Sequence, residues 1–226
     1  MQKQYDKPIP IRTREVLRYM GSRGSSDPES TDSLLMDKIS HCECALQEIS
    51  TPRAIWKRFP LHVAGEGTLE IGGISMESQA LYKNLMGCRE AFLMAATIGP
   101  GVDLLIRRAS IGSITESVIY QAAGAEMIES YCDIINGNLR EAVLREGLYL
   151  RPRFSPGYGD LPLTLQPEII AVLDAEREIG LHLTRSLVMA PSKSVTAIIG
   201  ITREPQKNHL KDCSTCDSTD CAFRHD

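Results

Sequence analysis

The 226-residue sequence has no apolar run of membrane-spanning length, and its first residues, Met1-Gln2-Lys3-Gln4-Tyr5, lack the apolar stretch of a secretory leader. It also lacks a basic block: 25 Lys and Arg stand against 29 Asp and Glu, a formal charge of −4. Neutralising several phosphates needs clustered cations, so neither nucleic acid nor a membrane is an expected partner. There is no internal repeat, no long linker, and no convincing catalytic triad or metal-hydrolase motif. The seven cysteines are an odd number, in a chain expected to be unsecreted. They point to a reducing compartment and to thiol or metal chemistry, so a cytoplasmic protein is expected.

What is present is an ordinary globular mixture, 42% hydrophobic and 24% charged. Periodicity predicts helices over 11–20, 33–49, 75–86 and, longest, from 113 to about 146. Cys42 falls on the apolar stripe of the second helix and Cys44 lies off it. Alternating or continuous apolar runs predict strands at 53–59, 68–71, 91–98, 187–190 and 195–202. Gly99-Pro100-Gly101 opens a helix; such a turn can hold an anion, but this one lacks the length and the lysine of a phosphate loop. Ser113-Ile114-Thr115-Glu116 fits a capping box, and Gly124 on the long helix implies close packing there. Glu126 and Glu129 fall off the apolar stripe and read as solvated carboxylates. Gln166-Pro167 begins another helix, continuing through Ile179, with His182 in the turn after it. The expectation is one α+β domain over residues 1–205 and a cysteine-rich tail over 206–226.

The stretch Arg151-Pro152-Arg153-Phe154-Ser155-Pro156-Gly157-Tyr158-Gly159-Asp160-Leu161-Pro162 is the densest in chemistry. Proline fixes φ and glycine permits positive φ, so a stiff, turned loop with exposed main-chain groups is expected. Arg153 offers a planar fork for a carboxylate, and Tyr158 offers a ring that stacks and a hydroxyl that hydrogen-bonds. A plain Pro/Gly connector would have the same composition.

The order of residues 153–158, Arg-x-x-Pro-Gly-Tyr, resembles the Arg-Pro-x-Pro-Gly-Tyr signature of the S-adenosylmethionine-binding activation domain of cobalamin-dependent methionine synthase. Ala125-Glu126-Met127-Ile128-Glu129-Ser130-Tyr131 is similar to that family's Ala-Glu-x-x-x-Glu-Tyr helix, with Ser130 at the second glutamate. Leu173 to Gly180 with Leu183-Thr184, and the turn Ser192 to Val195, resemble its later segments. The resemblance runs from about 115 to 201. It implies the family's fold, a twisted antiparallel sheet with several helices. It also implies a role as a stand-alone activation subunit: one-electron reduction and methylation from S-adenosylmethionine restore an oxidised corrinoid. The cofactor supplies that chemistry, so no acid–base pair is required here.

By the same resemblance, Arg153 meets the ligand carboxylate, or fixes the loop around it, and Glu126 its ammonium. Phe154, Ser155, Pro156 and Gly157 offer main chain to the adenine or amino-acid edges, and Tyr158 offers its π face. No Asp-x-His-x-x-Gly occurs, so cobalamin is expected on a partner, a corrinoid-binding methionine synthase or related methyltransferase, with a separate electron-donor protein. The family's aromatic pair after the last strand is replaced by Arg203-Glu204-Pro205-Gln206, which leaves that part of the adenosyl pocket unaccounted for.

In the tail, Cys213, Cys216 and Cys221 form C-x2-C-x4-C. Three thiolates and a fourth ligand, drawn from His209, His225, Cys42 or Cys44, suit zinc or an iron–sulfur cluster. Thiol redox chemistry and an unligated tail are the alternatives. They leave two other functions open: a redox accessory that reduces a corrinoid protein, and a non-catalytic module that docks on one.

Overall fold

A computed structural model describes residues 3–21, 28 and 31–205. The described residues form nine strands and seven helices around a seven-stranded antiparallel sheet and a separate two-stranded ribbon. The strands are β1 (Lys3–Gln4), β2 (Arg53–Gly65), β3 (Thr68–Ile71), β4 (Ile74–Glu77), β5 (Cys88–Thr97), β6 (Tyr149–Leu150), β7 (His182–Leu183), β8 (Met189–Ala190) and β9 (Ser194–Thr202). The helices are α1 (Thr13–Tyr19), α2 (Ser33–Ile49), α3 (Gln79–Asn84), α4 (Pro100–Gly112), α5 (Ile114–Leu144), α6 (Gln166–Leu173) and α7 (Ala175–Ile179). The main sheet runs β4-β3-β2-β5-β9-β6, with β1 pairing β2, and β7 pairs β8. This is the α+β antiparallel architecture expected from the sequence.

The period of two along β5 explains the layering. Phe92, Met94 and Ala96 enter one core with α1, α2, α4 and α5. Ala91, Leu93 and Ala95 enter the other, with α3, α6, α7, Phe154 and Leu161. A strand buried on both faces reads as a continuous apolar run, which is why 91–98 stood out. Cys42 is buried in the first core and Cys44 is exposed.

The elements depart from sequence expectation in three places. Residues 74–77 are a strand, not the start of a helix. Gly72 and Gly73, at φ 60° and 82°, make the tight turn that folds β4 back on β3, pairing Ile71 with Ile74. The helix begins only after Ser78, whose hydroxyl accepts from the Leu81 N–H at 3.0 Å. Strand β2 extends through Pro60, where its pairing passes from β5 to β3, so the missing proline N–H falls at the hand-over. The helix after Gln166 is broken at Asp174, whose φ of 57° is left-handed. The capping box holds as predicted: the Ser113 hydroxyl accepts from the Glu116 N–H at 3.3 Å. Among the described residues no helix is long and apolar enough to cross a membrane.

Candidate functional site

The loop after β6 lies against the middle of the sheet. The Arg151 N–H donates to the Gly200 carbonyl at 2.8 Å, and Phe154 exchanges both main-chain bonds with Ile198 at 2.9 and 2.8 Å. The chain then turns on itself. The Gly157 N–H donates to the Leu161 carbonyl at 2.8 Å, and Tyr158 N–H to the Ser155 carbonyl at 3.1 Å. Gly157 and Gly159, at φ 87° and 59°, supply the left-handed positions this turn requires. The N–H groups of Phe154, Gly157 and Tyr158 are therefore consumed within the fold rather than offered to a ligand. Phe154 is buried, and Tyr158, 70% exposed, stands edge-on to it at 5.4 Å between ring centroids.

Asp160 anchors the loop. Its carboxylate accepts from the Ser78 hydroxyl and from the N–H groups of Gln79 (2.8 Å) and Ala80 (3.1 Å) at the start of α3. These donors, the Ser78 hydroxyl first, hold the Asp160 carboxyl below its ordinary value. A depressed carboxyl stabilises the fold above the unfolded-state value near 3.8 and loses that contribution as pH falls through the folded-state value. The denaturation midpoint of wild type is therefore expected to exceed that of Asp160→Asn at pH 7. The gap should close progressively below about pH 4. A gap that stays constant to pH 2.5 would remove the carboxylate from this role.

Beside the loop is a cavity of about 370 Å³. Ser155 and Pro156 form one wall, Leu187 to Met189 another, and Ser192 with residues 194–196 a third. Leu163, Gln166 and Glu129 complete it. Leu187 has φ 62°, an uncommon conformation for leucine, and the Thr184 carbonyl and side chain hold the turn around it. Gln166 is 3% exposed; its Nε2 lies 3.4 Å from Thr196 Oγ1, and its Oε1 has no hydrogen-bond partner among the described residues. A buried carbonyl without a donor costs roughly 1–3 kcal/mol, so the wall carries an unused acceptor.

The charged residues form one network on α5. Arg153 donates to Asp133 at 2.8 Å and to Glu129 at 3.0 Å. Glu126 is 1% exposed; its Oε1 accepts from Arg12 Nε at 2.6 Å and from the Ser130 hydroxyl at 3.0 Å. Glu126 is thus not the solvated carboxylate that the periodicity implied, and Glu129 is a half-exposed, paired group at the cavity wall. Of the seven residues singled out in the sequence, Ser155 and Pro156 line the cavity. Arg153 reaches it through Glu129. Glu126, Phe154, Gly157 and Tyr158 do not line it.

Pattern reasoning missed the parts played by Glu129, Gln166 and 187–189. Gln166 stood out only as a helix start. The small-residue turn 192–195 was noticed, and it does border the cavity. Lys193 of that turn packs its stem on Gly124 and donates to the Gln121 carbonyl at 3.0 Å, with burial lowering its basicity. This is the close approach that Gly124 implied.

Cys213, Cys216, Cys221 and the tail they belong to lie outside the described residues. Among those described, no group of three or more metal-ligating side chains comes together. Burial raises the thiol pKa of Cys42 and Cys88, and pushes that of Cys132 up to about 12.

Comparison with known proteins supplies the relationship. The family model described as "Vitamin B12 dependent methionine synthase, activation domain" matches residues 130–226, somewhat less than half of the chain. The matched stretch begins inside α5 and continues through the cysteine tail. No curated protein matches. Among solved structures, the crystal structure of the MetH reactivation domain bound to AdoHcy is similar with a TM-score of 0.68 at 16% identity. The similarity covers 91% of this chain and 80% of that one. Residues 130–226 thus match the activation-domain family of vitamin B12 dependent methionine synthase, and the chain as a whole carries the fold of that reactivation domain.

Proposed function

We propose that the protein binds S-adenosylmethionine in the cavity beside residues 153–158 and serves as an activation subunit for a corrinoid methyltransferase, a cobalamin-dependent methionine synthase or a relative of it. The observation that carries this reading is the fold match to a reactivation domain bound to AdoHcy, joined to a cavity at the Arg-x-x-Pro-Gly-Tyr loop. The volume lies in the range of small-ligand pockets. The walls suit a molecule with an apolar body and N–H donors: aliphatic side chains and Pro156 on the sides, with the Glu129 carboxylate and the Gln166 carbonyl as acceptors.

The residues hold and orient the methyl donor; they do not attack it. Arg153 fixes the loop on α5 through Glu129 and Asp133, so that Ser155 and Pro156 present a rigid edge. Asp160 pins the far side of the loop to α3. Leu163 and Val188, both exposed, belong to the cavity wall and, with the exposed Tyr158 of the same loop, offer apolar surface to a partner's corrinoid domain. A corrinoid carried by that partner would supply the metal that accepts the methyl group, with an electron-donor protein as its reductant. Expulsion of water from this surface on docking would shield the transfer.

Calorimetric titration of the full chain with S-adenosylmethionine tests the reading. Wild type is expected to bind saturably, and Arg153→Ala to bind about tenfold or more weakly because its loop edge is no longer fixed. A wild-type protein that binds neither S-adenosylmethionine nor S-adenosylhomocysteine would overturn it.

A further inference from the structure

We infer that Glu129, rather than Glu126 three residues before it, is the carboxylate that receives a cationic amine of the ligand, with Arg153 as its positioning residue. This rests on the S-adenosyl reading above and deepens it.

Three observations carry the assignment. Glu126 is fully buried and already neutralised: one guanidinium nitrogen of Arg12 lies 2.6 Å from Oε1, and the Ser130 hydroxyl donates to the same atom. A ligand ammonium reaching Glu126 would have to displace Arg12 and enter a space that is not part of the cavity. Glu129 is in the cavity wall and its side chain is 41% exposed. It meets Arg153 through Oε2 at 3.0 Å, and Oε1 has no hydrogen-bond partner among the described residues. Finally, residues three apart on a helix are neighbours on one face, so moving the role from 126 to 129 keeps it on the same side of α5.

The charge balance agrees. Arg153 divides its two terminal nitrogens between Glu129 and Asp133, and Arg12 approaches Asp133 at 3.9 Å as well as Glu126, so the three carboxylates outweigh the two guanidiniums by one charge. The cavity wall is therefore short of positive charge, and an amine that enters supplies it. The ligand class that follows is an adenosyl thioether or sulfonium bearing a primary amine.

The test titrates the full chain with three ligands that share the adenosine and the thioether. S-adenosylhomocysteine has amine and carboxylate, S-adenosyl-3-thiopropylamine has the amine alone, and 5′-methylthioadenosine has neither. Wild type is expected to bind both amine-bearing ligands more tightly than methylthioadenosine. Glu129→Gln should lose about tenfold or more for those two and stay within about twofold for the third, because a charge-assisted bond becomes a neutral one. The inference is overturned if Glu129→Gln binds the amine-bearing ligands as wild type does, or weakens all three alike. It is equally overturned if the selective loss appears in Glu126→Gln instead. Should Glu126→Gln fail to fold, the Glu129→Gln comparison decides alone. If wild type binds none of the three, this inference fails, and the S-adenosyl reading fails with it when S-adenosylmethionine is not bound either. If wild type binds all three without preferring the amine, only this inference fails.

Discussion

Gly99→Ala is expected to destabilise the protein by about 3 kcal/mol, the sum of backbone strain and overpacking. Gly99 has φ 90°, where an L side chain is strained. A Cβ there would stand 2.1 Å from Thr51 Oγ1 and 3.3 Å from the Thr51 main-chain nitrogen. The hydroxyl can rotate away, but the nitrogen is held by the Ile98 carbonyl at 2.9 Å, and the Gly99 N–H is bound to Thr97 Oγ1 at 3.1 Å. Retreat would break one of these bonds. Two residues on, a Cβ at Gly101 would meet the Ile49 carbonyl oxygen at 2.7 Å. The Gly-Pro-Gly turn thus serves to seat the start of α4 on the end of α2. Gly137→Ala is the control: its Cβ would meet nothing within 4 Å, and alanine in a helix interior should raise stability by roughly 0.5–1 kcal/mol. Denaturant midpoints with unchanged slopes measure both. A Gly99→Ala protein as stable as wild type would show that the α2–α4 contact is looser than this geometry implies.

Arg12→Ala should cost about 2 kcal/mol. Truncating one partner of a fully buried pair costs about 3–5 kcal/mol, and the half-exposed Arg12 side chain lets water take over part of its role. The loss arises less from the missing contact than from the carboxylate left inside the protein. Glu126→Gln placed in the Arg12→Ala background should therefore restore part of the stability. The coupling from the four proteins of that cycle should exceed about 0.5 kcal/mol. Additive effects would mean that Arg12 contributes only the packing of its stem. Because Arg12 precedes α1, the same pair fastens the N-terminal segment to α5, beside the helix face that carries Glu129.

Much of the architecture was legible locally. The 3.6-residue stripe gave α2 its observed bounds, Ser33–Ile49, and the Ser113 capping box marked the start of α5. Both signals depend on neighbours within one or two turns. The strand at 74–77 was hidden because the helix expected from Ser75 runs through it; only pairing with β3 through the Gly72-Gly73 turn favours the extended form. The break at Asp174 is similar, since helical periodicity continues across it from Ile170 and Leu173 to Ile179.

The candidate site divides along the same line. The sequence by itself determined the loop: proline and glycine set its backbone, and the order Arg-x-x-Pro-Gly-Tyr carried the family resemblance. It also determined that β5 is buried on two faces, since an unbroken apolar run leaves no polar side. Only the tertiary structure decided which carboxylate is buried and which faces the cavity. Glu126 and Glu129 look alike on a helical projection, and the difference is made by Arg12, 114 residues away along the chain. The cavity itself is built from α5, the 153–158 loop, the start of α6 and the turn before β9. No local pattern encodes where segments so far apart meet, because their contact is fixed by the packing of both sheet faces rather than by any one of them.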